Sequence, residues 1–114
     1  MGGDCLHDSY KGGALTEVMF YVLLATFTPR HGYAIMQFIE QKTGGRLELG
    51  AGTLYGAINT LVKKNWIEPC GEDQGRKKEY RVTELGRRIA EQELQRLRGL
   101  TQVAGEIIGG YTHE

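Results

Sequence analysis

The chain has 114 residues, 40% of them hydrophobic and 25% charged, and its 14 basic and 14 acidic side chains cancel. That is the composition of one small folded domain, not of a disordered or fibrous chain, and a core this size gains from a partner subunit. No apolar run reaches membrane-spanning length, and the start, with Asp4, His7 and Asp8, is not that of a signal peptide.

Cys5 and Cys70 lie too far apart to read as a disulfide framework or a zinc spacing, so the expected setting is the reducing cytoplasm. The cancelled charge hides an uneven distribution. Residues 59–88 carry eight basic and five acidic side chains, whereas residues 89–114 carry two and four. A nucleic-acid surface is therefore expected only as a local patch.

Residues 1–12 are rich in glycine and lack periodicity, which predicts a flexible N-terminal arm. Ala14 to Phe27 reads as a helix with two apolar stripes, one of them Leu15, Val18, Met19 and Val22. A helix apolar all round is covered on both sides, one by its own core and the other by a second subunit. Pro29 ends it. A second helix is predicted from Gly32 to Lys42, closed by Thr43-Gly44-Gly45, and Arg46 to Leu49 alternates as a brief strand or extended connector.

Thr53 is the expected N-cap of a third helix, Leu54 to Lys64, with Leu54, Ile58, Leu61 and Val62 inward. Asn65 tolerates the left-handed conformation that ends a helix. A hairpin follows, with strands from Trp66 to Glu68 and Lys78 to Val82, and Pro69 marks the first as an edge. Thr83 caps a last helix, Glu84 to Ile108, ended by Gly109-Gly110. Its residues Ala90, Leu94, Leu97, Thr101, Ala104, Ile108 and Tyr111 form a heptad seam. Nothing else in the chain is long enough to cover that seam, so pairing with a second copy is expected. The expected dimer interface is Leu15, Val18, Val22, Leu94, Leu97, Thr101, Ala104 and Ile108.

No phosphate loop, nucleophile elbow or metalloprotease pattern occurs, and His7, His31 and His113 are scattered. The expectation is no enzyme, no metal site and no cofactor. The order of elements predicts a mainly α fold with a small β-hairpin. It is a winged helix-turn-helix over 13–83 plus a C-terminal dimerisation helix over 84–110.

In that arrangement one helix enters the major groove while the hairpin reaches a neighbouring groove or the backbone. The third helix suits this because small Gly56 lies among hydrogen-bonding residues. Thr53 and its neighbouring amides can receive a phosphate, Asn59 can pair with a base edge, and Lys63 and Lys64 suit phosphates. At the hairpin Arg76, Lys77 and Lys78 do the same. Structural readings stand beside these. Tyr55 contacts a phosphate or packs on the hairpin, Asn59 reads a base or is a solvated helix residue, and the basic hairpin residues bind phosphate or guard an exposed strand edge. Arg87 and Arg88, unfavourable at a helix start, hint at a nearby phosphate.

His31-Gly32-Tyr33-Ala34-Ile35, Gly50-Ala51-Gly52-Thr53-Leu54-Tyr55-Gly56-Ala57-Ile58 and Tyr80-Arg81-Val82-Thr83-Glu84-Leu85-Gly86 closely resemble the PadR family of bacterial transcriptional regulators. The Gly-x-Gly-Thr-Leu-Tyr segment is the specific part, and the likeness spans about residues 11–108. A single C-terminal helix resembles the short PadR subgroup. The resemblance implies a homodimer, a recognition helix at 53–64, a wing at 70–80 and repression of genes near its own. Asn65-Trp66-Ile67 departs from the usual Gly-Leu-Ile.

Some short PadR-like regulators bind flat aromatic compounds through tryptophans on the last helix. This last helix has none, and Trp66 reads as core rather than as a ligand platform. Cys70 as a redox switch has no low-pKa signal beside it. The expected function is a dimeric repressor reading an inverted repeat, with double-stranded DNA and a second copy as partners. Any small-molecule effector is left unidentified, and no membrane is involved. The alternative is a winged helix serving as a protein-interaction adaptor, favoured by net neutrality and opposed by the basic hairpin.

Overall fold

The computed structural model describes residues 15–71 and 78–113. The predicted arm at 1–12, with Cys5 and His7, and the predicted helix start at Ala14 lie outside the described residues. Helix α1 spans Glu17–Ala25, and the Thr16 hydroxyl accepts the Met19 amide at 3.1 Å as its cap. It ends two residues before the expected Phe27. Buried Thr26 turns its hydroxyl back to the Leu23 carbonyl at 2.7 Å, and its own carbonyl accepts the Val82 amide at 2.8 Å.

Strand β1, Arg30–His31, was not anticipated, because two residues carry no alternation. Helix α2, Gly32–Lys42, starts on His31, whose Nδ1 accepts the Ala34 amide at 3.4 Å. It closes through Thr43 onto Gly44 and Gly45 at φ of 61° and 84°, as the sequence predicts. Residues 47–50 are an extended connector, not a strand.

Helix α3 spans Ala51–Lys63, with Gly50 as an N-cap that has no capping side chain. It therefore begins before the predicted start, and Thr53 lies in its first turn instead of capping it. Leu54, Ala57, Ile58 and Leu61 point into the core beside Val22, Leu23, Ile35 and Ile39. At its end Asn65 adopts φ 64°. The Asn65 amide donates to the Val62 carbonyl and the Trp66 amide to the Leu61 carbonyl, the paired bonds of a Schellman ending.

Strands β2 (Ile67–Cys70) and β3 (Glu79–Val82) form the hairpin, and the antiparallel sheet has the order β1-β3-β2. Pro69 thus lies on an edge strand, opposite Tyr80. Trp66 is 1% exposed, a core residue as expected.

Helix α4 spans Glu84–His113 and runs through Gly109-Gly110 instead of stopping there. Thirty residues make it about 45 Å long. Its first turns bury Ile89, Ala90 and Glu93, whereas Leu100, Val103, Ile107 and Ile108 are exposed beyond the globule. Val22, expected at the dimer interface, is fully buried in the chain's own core. Helices α2, α3 and α4 all pack on α1, which leaves Val22 no surface to offer a partner.

The start of α4 is held closely. Thr83 donates its amide to the Trp66 carbonyl at 2.9 Å and its hydroxyl to the Asn65 carbonyl at 2.7 Å, while accepting the Gly86 amide at 3.0 Å. A Cβ on Gly86 would lie 2.0 Å from the Trp66 carbonyl oxygen. Gly86→Ala is expected to destabilise the chain by about 1–3 kcal/mol, since backbone must shift to make room. Urea unfolding measures this, and an unchanged midpoint would show that the approach is looser than described.

Candidate nucleic-acid interface

Helices α2 and α3, joined by the 43–50 connector, form a helix-turn-helix whose second helix turns its polar face outward. Leu54, Ala57, Ile58 and Leu61 take the inner positions, so the 3.6-residue period leaves Gly52, Thr53, Tyr55, Gly56, Asn59, Thr60 and Lys63 outside. All seven are exposed. A Cβ on Gly50, Gly52 or Gly56 would meet nothing within 4 Å, so this face is flat and low. From Ala51 to Lys64 the sequence holds two lysines and no acidic residue. Neither Asn59 nor Lys63 has a hydrogen bond or ion pair among the described residues, so both side chains are available to a ligand.

Lys64 stands differently. It is half-buried, with Nζ 5.2 Å from the centre of the Trp66 ring, a cation–π contact that ties it to the root of the hairpin. Tyr55 is 44% exposed. Its hydroxyl end lies over Gly32 at the start of α2. Arg87 has an internal partner too, its guanidinium 4.7 Å from the centre of the Phe27 ring. That contact sets the cation at the helix start against an aromatic face.

At the hairpin Lys78 is exposed at the foot of β3, while Arg76 and Lys77 lie outside the described residues. Arg81 spends its charge within the sheet, 2.8 Å from Glu68 on the paired strand. The Glu68 hydrogen bond and charge hold its guanidinium above the ordinary range. Burial pushes the Cys70 thiol up. Arg81 opposes that shift, and Glu79 and Glu68 add to it. This is the reverse of what a reactive thiolate needs.

A second feature was not legible from spacing. Between α1 and α4 lies a groove of about 430 Å³ lined by Leu15, Phe20, Tyr21, Leu24 and Leu97. At its wall Glu93, only 6% exposed, accepts two hydrogen bonds from Arg96 at 3.0 and 2.7 Å. The Glu93–Arg96 spacing on one helix was the available signal, but nothing local distinguishes it from an ordinary surface pair. Glu17, paired with Arg46, lines the same groove at the start of α1. Of the predicted interface residues, Leu94, Thr101 and Ile108 are exposed, and Leu15, Val18, Leu97 and Ala104 are half-buried.

No helix of the described residues is long and apolar enough to cross a membrane. No three His, Cys, Asp or Glu residues among them are grouped to hold a metal ion.

Three helices, a three-stranded sheet with a hairpin wing and a long terminal helix define a winged-helix protein. Residues 21–92 match the model of the transcriptional regulator PadR-like family, so the chain belongs to that family.

Similar folds include a PadR family transcription regulator from Clostridium difficile. It has a TM-score of 0.67 and 23% identity, over 80% of this chain and 97% of that one. A transcriptional regulator from Clostridium thermocellum has a TM-score of 0.68 and 22% identity, over 93% and 96%. Bacillus subtilis PadR in complex with operator DNA has a TM-score of 0.59 and 20% identity, over 69% of this chain and 47% of that one.

In sequence, the chain is 39% identical to an uncharacterized protein X of Lysinibacillus sphaericus over 78 residues, 66% of this chain and 70% of that one. It is 45% identical over 65 residues to an uncharacterized 37.1 kDa protein in transposon TN4556 of Streptomyces fradiae. That match covers 57% of this chain and only 18% of the longer protein.

The raised thiol gives a direct expectation. In the folded protein at neutral pH, iodoacetamide should label Cys70 about tenfold or more slowly than in the urea-unfolded chain. Mass spectrometry of the peptide carrying Cys70 reads the rate, and equal rates would show a reactive thiolate.

Proposed function

We propose that this chain is a dimeric DNA-binding repressor, acting in the cytoplasm, that reads an inverted repeat with one α3 helix in each half-site. The observation that carries this reading is the outer face of α3. It is flat at Gly52 and Gly56, free of acidic residues, and it presents unpartnered Asn59 and Lys63 to solvent. Such a face can approach base edges closely while cations meet the phosphates.

Asn59 serves the base edge, and Lys63 serves the backbone. Thr53 and the uncapped amides at the start of α3 offer donors to a phosphate. Lys64, held against Trp66, is placed to steady the wing while its charge adds to the field. Lys78, with Arg76 and Lys77 in the same segment, supplies the wing's cations. The Bacillus subtilis PadR structure supports the reading, since its similar fold is seen with operator DNA.

Dimerisation follows from the apolar length of α4. Exposed Leu94, Leu100, Val103, Ile107 and Ile108 make a stripe that water would penalise unless another apolar surface covers it. A second copy brings the same stripe. A twofold axis between the terminal helices would then set the two α3 helices about one DNA turn, roughly 34 Å, apart.

A gel shift with duplexes from the gene's own upstream region tests the function. Binding should weaken steeply as salt rises, because cationic side chains displace counterions from phosphate. Lys63→Ala should weaken every duplex alike and lower the salt slope by about 1 for each bound copy, whereas Asn59→Ala should chiefly reduce discrimination between sites. Salt-insensitive or absent binding would point instead to a protein-interaction adaptor. For the dimer, Leu97→Glu should halve the mass seen by light scattering, and an unchanged mass would remove the seam from the account.

A further inference from the structure

We propose that Gly32 is a positioning residue for the DNA interface, its missing side chain being the socket that fixes Tyr55 at the edge of the α3 outer face. This inference rests on the DNA-binding reading. Gly32 is the first residue of α2 and is buried, while Tyr55 lies on α3, across the turn. A Cβ on Gly32 would lie 2.2 Å from the Tyr55 hydroxyl oxygen, 2.6 Å from Cζ and 3.1 Å from Cε1. No real side chain tolerates such contacts, so the ring end occupies the space that any other residue would fill.

Backbone conformation does not require glycine there. Among the described residues the positive-φ glycines are Gly44, Gly45 and Gly71, and Gly32 is not one of them. Alanine at a helical position is also intrinsically better than glycine. The remaining physical reason for glycine is the room it leaves for the phenol.

That room has a consequence for binding. Tyr55 is 44% exposed, and an exposed phenol left to itself would sample several rotamers. Seated over Gly32, it is confined before any ligand arrives, which lowers the ordering cost of binding. Its hydroxyl makes no hydrogen bond among the described residues. It sits one helical turn from Asn59 and two from Lys63, where the backbone of a bound duplex would run. The structure assigns it a phosphate oxygen, as a neutral donor that locks register between the two helices.

The test uses the full chain and a labelled upstream duplex that the wild type binds, with affinity read by fluorescence anisotropy. Gly32→Ala should cost at least about tenfold in affinity, the loss of a hydrogen bond to a charged group. The salt slope should not change, because the phenol carries no charge. Thermal stability should be retained, because the atoms that must move are the far end of one flexible side chain. Tyr55→Ala should cost as much, and the double variant no more than Tyr55→Ala alone, since both act through one contact.

Wild-type affinity in Gly32→Ala, or losses that multiply in the double variant, would overturn the role of Gly32 while leaving DNA binding intact. Should Gly32→Ala fail to fold, the double variant decides. Folding with the affinity of Tyr55→Ala supports the socket, and a second failure shows that Gly32 serves the backbone. A wild-type chain that binds no duplex overturns the DNA reading and this inference with it.

Discussion

The Trp66 carbonyl is the point at which three elements meet. It accepts the Thr83 amide, and Gly86 lies so near it that no Cβ would fit. Trp66 itself fills the core just after α3 and opens the hairpin. The end of α3, the wing and the start of α4 are therefore tied through a single peptide group, with little freedom to rotate independently.

The two surfaces that remain after the core is filled are opposite in character. The α3 face is low, polar and free of negative charge, suited to a charged polymer. The α4 face beyond Leu97 is apolar and projects from the globule, suited to a second apolar surface. Between them buried Glu93, paired with half-exposed Arg96, edges the α1/α4 groove. A paired charge in that position tolerates burial only while its partner stays in place, so it restricts which apolar surface can close over the groove.

Much of the site was readable because its signals are local. The outward set of Thr53, Tyr55, Gly56, Asn59 and Lys63 follows from the inward spacing of Leu54, Ile58 and Leu61, and the structure exposes every one of them. Pro69 on an edge, Asn65 in the left-handed region and Thr83 at the head of the last helix each depend on one residue's own chemistry. Elsewhere a distant contact decided. Lys64 lies against Trp66, Arg87 against Phe27 and the hydroxyl end of Tyr55 over Gly32. Val22 belongs to a helix apolar on both sides, so its stripe could not show which side met the core. Thr53 lost its capping role because Gly50 permitted an earlier start.

By itself, then, the sequence determined the number and order of the helices, the hairpin and the polar face of α3. Periodicity, proline, glycine and asparagine act over a few residues and need no tertiary partner to be read. Only the tertiary structure decided the rotation of α1, the two-residue strand β1, the burial of Glu93 and the seat of Tyr55 over Gly32. Each depends on which atoms from remote parts of the chain compete for the same few cubic ångströms, and that competition is resolved only when all the elements are packed together.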